Sequence, residues 1–462
     1  MTVDTAESYE AFLERKTEEH RPSGLDRLPE LHPSLFGYQR AVTGFLLRAG
    51  RGAAFLDTGL GKTFVQLEWA RAVTEATGRP ALILTPLAVG PQTAAEARRF
   101  GIDARVARDG DQVCPGINIA NYERLHLFDP AAFGAVVLDE SSILKSFTGK
   151  TTRRLIEAFA STPFRLACTA TPAPNDHTEL GQHSEFLGVM AANEMLIRWF
   201  VHDSANTKEW RLKRHGVGLF WDWVASWARC LSRPSDLGFS DEGFDLPALE
   251  LRKHQVAVDL IDGRGDCLFR LPDTSATAIH AEKRRTLAAR AERIAELVLS
   301  EPAEPWVVWC DTDYEADALT ARIAGAVEVR GGHPVDVKER RLLAFGNGSV
   351  RVLITKPTIA GFGLNWQHCA RMAFVGLSFS YERFYQAVRR CWRYGQRRPV
   401  QVHVIVAETE GAIWDAVARK SQDHDTMKAQ MAAAMLRASR SARVKAPYEA
   451  SKPMELPTWL KA

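Results

Sequence analysis

The run Asp57-Thr58-Gly59-Leu60-Gly61-Lys62-Thr63 has the residue types of a loop that holds phosphate. Glycines let successive backbone N–H groups turn toward anionic oxygens, and a helix opening at the loop adds its positive end. Thr58, Gly59, Leu60 and Gly61 would form the cradle, Lys62 would reach the β/γ-phosphates, and the Thr63 hydroxyl would hold Mg²⁺. The generic pattern has a glycine where Leu56 stands, so the match is to the GxGKT core. Such a loop requires an acidic partner at the end of another strand. Asp139-Glu140 follows the apolar Ala135-Val136-Val137-Leu138. There Asp139 would bind Mg²⁺ through water, and Glu140 would orient and deprotonate an attacking water.

These residues need a frame, and the texture of the chain supplies one. Apolar, Gly-bounded runs predict strands over 53–56, 81–85, 117–120, 135–138 and 164–168. A helix is predicted over 61–77, stopped by Gly78-Arg79-Pro80. A second alternating block predicts strands over 306–310, 350–355, 371–375 and 400–406, and helices over 279–300, 314–323 and 411–420. Strand–helix alternation of this kind argues for parallel sheets covered on both faces. The expected class is α/β. Its divisions are a tail over 1–28, a first α/β domain over 29–176, a helical Trp-rich insert over 177–245, a second α/β domain over 246–420 and a basic tail over 421–462.

Composition narrows the function classes. The chain has 462 residues, 46% hydrophobic and 25% charged, with a formal charge of +3. That excludes a wholly disordered or collagen-like chain, and any basic surface must be local. No apolar run approaches the ~20 residues of a membrane span, and the polar, acidic start does not read as a secretory signal. Seven scattered cysteines without a CxxC pair argue against a disulfide framework or a zinc site and fit a reducing cytoplasm.

The motifs together resemble superfamily 2 helicases and translocases, in particular the Swi/Snf-type branch and stand-alone phage and prophage DEAD/DEAH-box helicases. The resemblance runs from Leu35 to Trp414. Phe36-Gly37-Tyr38-Gln39 is similar to the adenine-reading motif, which implies that Tyr38 and Gln39 bind the nucleotide. Thr85-Pro86, Asn121-Tyr122 and Thr169-Ala170-Thr171 resemble the motifs that contact the DNA backbone or couple it to hydrolysis; Lys356 is assigned to the same group. Asp139-Glu140-Ser141-Ser142 departs from the DEAD and DEAH spellings in its last two residues. Gly361-Phe362-Gly363-Leu364-Asn365 resembles a Gly-rich motif that senses nucleotide, through Gly363. Gln386 to Gln396 carries every fixed position of QAxxRxxRxGQ. This places Gln386 at the nucleotide and makes Arg390 and Arg393 arginine fingers, planar and always charged.

The resemblance implies two RecA-like P-loop domains and an ATP-dependent enzyme that uses Mg²⁺. Its partner would be duplex or forked DNA, held by sequence-independent backbone contacts in the cytoplasm (the bacterial host's, for a phage-encoded chain). An RNA helicase, the motor of a restriction or defence system, and a non-hydrolysing ATP-gated clamp stand as alternatives, and a protein partner stays open. Two readings of the insert also stand. Its tryptophans and cations could stack bases and bind phosphates; the favoured reading is a helical subdomain packed on the first lobe. The tail has eight Lys/Arg against four Asp/Glu from Lys420 onward, a local +4, and reads as a solvated end or a DNA-steering arm.

Overall fold

The computed structural model of the protein describes residues 22–86, 89–202, 210–257, 276–360, 365–378 and 380–444. The first lobe is built on β1 (Arg51–Leu56), β2 (Ala81–Thr85), β3 (Ala104–Val106), β4 (Ile117–Asn121), β5 (Ala135–Asp139) and β6 (Phe164–Cys168). A short hairpin, β7 (Phe200–His202) and β8 (Trp210–Leu212), stands apart, and β9 (Ala228–Leu231) returns to the main sheet. The order is β3-β4-β2-β5-β6-β1-β9, and every pairing is parallel. Strands β2, β5 and β6 are buried along their whole length, as strands covered on both faces must be, which explains their predominantly apolar runs.

The second lobe holds β10 (Leu249–Val256), β11 (Trp306–Trp309), β12 (Val327–Val329), β13 (Val352–Thr355), β14 (Arg371–Phe374) and β15 (Val400–Ala407). Their order is β10-β15-β14-β11-β13-β12, again all parallel. The fold is therefore α/β with two RecA-like domains, as expected. Residues 243–248 lead straight into β10, which pairs with β15 from Leu249 opposite Val400 to Val256 opposite Ala407. The helix expected over 279–300 is two helices, Ala276–Arg285 and Leu287–Ser300, that part at Thr286.

Segment 177–245 packs on the first lobe, the reading favoured from the sequence, and also adds a strand to it. Its helix Val217–Trp227 buries Trp221, Trp223 and Trp227 in the same core as Phe55 of β1, and β9 then extends the first sheet at its β1 edge. The expected basic tail is not solvated from residue 421 onward. One continuous helix runs Gly411–Val444. Its start packs on the second lobe through Ile413 and Val417. Its later turns bury Met427, Met431, Ala434 and Met435 in the core of the first lobe. Arg437 Nη2 meets Asp222 Oδ1 of the Trp-rich helix at 2.7 Å. The helix is a strap across both lobes, not a solvated end.

Among the described residues, no helix is long and apolar enough to cross a membrane, no group of three or more acidic, His or Cys side chains could hold a metal ion, and the six described cysteines are free.

Candidate active site

Parallel sheets place ligands beyond the carboxyl ends of their strands. In the first lobe that edge carries the Gly-rich loop of residues 57–61 after β1, Asp139-Glu140 at the end of β5 and Thr169 after β6; the register sets Asp139 opposite Cys168. The helix Lys62–Thr77 starts at Gly61, and no side chain caps it, so its first N–H groups face the cleft. Gly59 and Gly61 have positive φ, 99° and 72°. At Gly61 the requirement is double: an added Cβ would lie 2.2 Å from Nε2 of Gln39.

Lys62 is the electrostatic centre. Its Nζ lies 2.9 Å from Oε1 of Glu140 and 3.9 Å from Oδ1 of Asp139. Burial works against its charge, but Glu140 and then Asp139 outweigh it and hold the ammonium above its ordinary range. Burial raises the Asp139 carboxyl; Lys62 opposes this, and the neighbouring Glu140 adds to it. Gln66, one helical turn after Lys62, donates Nε2 to Asp139 Oδ1 at 2.7 Å. Tyr122 donates its hydroxyl to the Asp139 carbonyl at 2.7 Å. Glu140 has φ 56°, in the left-handed region that non-glycine residues avoid. That conformation costs about 1 kcal/mol or more and persists at sites where the surroundings enforce it. Thr169 donates Oγ1 to Glu140 Oε2 at 3.5 Å and accepts the Thr171 N–H at 3.1 Å.

The cleft between the lobes has a volume of about 610 Å³, within the ~300–1,000 Å³ usual for small-molecule sites. Its first-lobe wall contains Tyr38, Gln39, Thr58, Gly59, Gly61, Lys62, Thr63, Asp139 and Glu140. Arg390 and Arg393 face them from the second lobe. Burial, reinforced by Arg393, brings the Arg390 guanidinium down to about 10. Burial and then Arg389 lower Arg393, with Glu96 opposing. At the other end the Phe36 and Tyr38 rings are parallel, 6.1 Å apart. Phe244 stands edge-on to both, 4.8 Å from Tyr394 of the second lobe. Gln39 donates Nε2 to the Leu60 carbonyl at 3.0 Å, and its Oε1 accepts the Phe36 N–H at 3.0 Å.

Other candidate residues lie elsewhere. Leu60 is buried with its carbonyl turned to Tyr38 and Gln39. Gln386 is buried, with Nε2 3.4 Å from Glu382 Oε1. Thr85, Tyr122, Thr169 and Thr171 are buried, while Pro86 and Asn121 are half-buried. Lys356 pairs with Asp313 at 2.8 Å. Gly363 lies outside the described residues.

Several residues at the site were given no individual role by the sequence. Asn365, Gln367, Phe244 and Tyr394 line the cleft. Asp57, buried at the head of the loop, receives the Tyr385 hydroxyl, Arg389 Nη2 at 3.2 Å and Lys428 Nζ at 3.1 Å. Burial alone would raise its carboxyl. Arg389, Lys428 and the Tyr385 hydroxyl reverse that and hold it well below the usual carboxylate range. Glu382, Tyr385 and Arg389 recur at i, i+3 and i+7, a one-face helical spacing that the sequence does carry.

Residues 289–395 match the helicase conserved C-terminal domain. The chain is also similar to protein p41 of Acyrthosiphon pisum secondary endosymbiont phage 1, at 25% identity over 438 aligned residues that cover 80% of this chain and 92% of that protein. The arginine pair and the strands beneath it thus lie in or beside a helicase C-terminal domain, which supports a helicase of superfamily 1 or 2 and implies nucleic-acid binding.

Proposed function

We propose that this protein is an ATP-dependent DNA helicase or translocase of superfamily 2, which couples Mg-ATP hydrolysis to movement on or unwinding of DNA. The observation that carries the reading is the facing of Lys62, Asp139 and Glu140 by Arg390 and Arg393 across one cleft. The residues fit the nucleotide. An uncapped helix N-terminus, two positive-φ glycines and a half-buried lysine suit a polyphosphate, and the wall of Phe36, Tyr38, Phe244 and Tyr394 suits a planar base.

Lys62 would bind the β/γ-phosphates, exchanging its contact with Glu140 for the nucleotide. Thr63 and Asp139 would hold Mg²⁺, which supplies charge neutralisation at the phosphates. Glu140, released from Lys62, would take the proton of the attacking water. Arg390 and Arg393 would stabilise the developing charge from the second lobe. ATP contacts both lobes, so binding favours closure and hydrolysis removes that preference. Alternating closure against a bound strand gives motion along it. The partner is DNA, engaged through its backbone and so without sequence preference. Glu140→Gln tests the reading. It should retain ATP binding and lose about 10²–10⁴ in turnover, the size of a general-base contribution. Wild-type turnover in this variant would overturn it.

A further inference from the structure

Asp57 stands where three elements meet. Its Oδ1 accepts the N–H of Thr58 at 2.8 Å, which shapes the phosphate loop. The same oxygen meets Tyr385 and Arg389 of the second lobe, and Oδ2 meets Lys428 of the C-terminal helix. Lys428 also donates to the Tyr385 hydroxyl at 3.3 Å, and Arg389 donates Nη2 to the Thr58 carbonyl. The helix Tyr381–Val388 carries Tyr385 and leads directly into Arg390 and Arg393. A second ion pair, Lys145 with Glu382, ties the same helix face to the first lobe.

We propose that Asp57 is a positioning residue that latches the second lobe onto the phosphate loop, and that Lys428 makes the C-terminal helix part of the latch. The inference rests on the ATP-driven reading above. Opening of the cleft would carry Tyr385 and Arg389 away with the second lobe. Lys428 would stay, because Met427, Met431 and Met435 fix its stretch of helix in the first lobe's core. Asp57 therefore keeps a cation in both positions, and its carboxylate stays oriented to recapture Arg389. Each recapture returns Arg390 and Arg393 to the same place over the phosphate site. Removing a buried partner outright would leave an unpaired charge; Lys428 prevents that during opening.

Kinetics of Asp57→Asn, Lys428→Met, the double variant and Lys428→Arg test this. A misplacement near 1 Å can cost about a hundredfold in rate. Asp57→Asn and Lys428→Met should each lower kcat about tenfold, with KM for ATP within about twofold. The double variant should lose no more than the worse single one, as members of one unit do, and Lys428→Arg should restore kcat. Losses that multiply, or a change confined to KM, would overturn the latch. A readout independent of hydrolysis separates this from failure of the ATPase reading. Dyes at Glu157→Cys and Arg340→Cys, with Cys114→Ser and Cys267→Ser, report the lobe separation in nucleotide-free protein. The latch predicts a longer or broader distance in Asp57→Asn than in the parent. An unchanged distance would overturn it even if turnover fell. A parent chain without ATP hydrolysis would contradict the ATPase reading and leave the latch to be judged by distance.

Discussion

Lys62 Nζ and Glu140 Oε1 are 2.9 Å apart, so the cation proposed to bind phosphate is paired with the group proposed as the catalytic base. The pairing keeps both charges satisfied in a half-buried place, and on the proposed reading nucleotide binding is an exchange of partners. Lys62→Ala should abolish ATP hydrolysis. The fold should survive, because Lys62 lines the cleft and is not part of the first lobe's hydrophobic core. Steady-state turnover and a thermal melt check this together. Near-normal turnover would sink the site assignment.

Arg393→Ala should leave ATP affinity nearly unchanged and reduce turnover by about 10²–10³, at or below the low end of arginine-finger effects. Arg393 lines the cleft from the second lobe, opposite Lys62. Nucleotide titration and turnover on the same preparation separate binding from chemistry. A large loss of affinity with unchanged turnover would show that it serves to bind ATP instead.

The strap helix should be a large contributor to the stability of the first lobe. Met431 is 2% exposed and packs in that core beside Met427 and Met435. Met431→Ala should destabilise by about 2–5 kcal/mol, the usual loss for such a truncation in a core. Denaturant melts followed by tryptophan fluorescence would read it, since Trp221 and Trp227 share the cluster. A change below about 0.5 kcal/mol, the range of surface substitutions, would mean that the helix end is only loosely held.

Acid should weaken the protein through His183. Burial brings its imidazole down to about 4, and its Nε2 is 3.1 Å from Oγ of Ser141, the residue after Glu140. The unfolded chain protonates this group near pH 6.5. Between pH 6.5 and about 4 the unfolded state binds more protons, so stability is full above 6.5 and falls as pH drops through that window. The loss is of order 3 kcal/mol for this group. Glu179, pushed up to about 7 by burial, has the opposite sign, gaining stability as pH falls. That term is common to both proteins in a comparison with His183→Asn. The variant should lose less stability than the parent between pH 7 and pH 4.5. An equal acid loss would refute the assignment.

The features legible in the sequence were local. The loop-to-helix step at Lys62, the strand before Asp139 and the parallel alternation of both lobes depend on patterns a few residues long. Features set by long-range packing were not legible. Nothing near Ala228–Leu231 says that these residues will join β1 rather than continue the preceding helix. Met427, Met431, Ala434 and Met435 have helical spacing, yet only the fold shows that the first lobe is what they cover. Asp57 reads as an ordinary loop residue until Lys428, 371 positions later, arrives beside it. Of the expected DNA-contacting positions, Thr85, Thr169 and Thr171 are buried, which suits coupling between strand ends better than side-chain contact with a solvated strand.

A DNA motor driven by this cleft must hydrolyse ATP in a DNA-dependent way. The measurement is steady-state ATPase activity of the whole chain with no nucleic acid, single-stranded DNA, duplex or forked DNA, and RNA. Low activity alone and marked stimulation by DNA are expected: by duplex for a translocase, by single-stranded or forked DNA for a helicase. Stimulation by RNA alone, or no hydrolysis under any of these conditions, would contradict the DNA-motor reading.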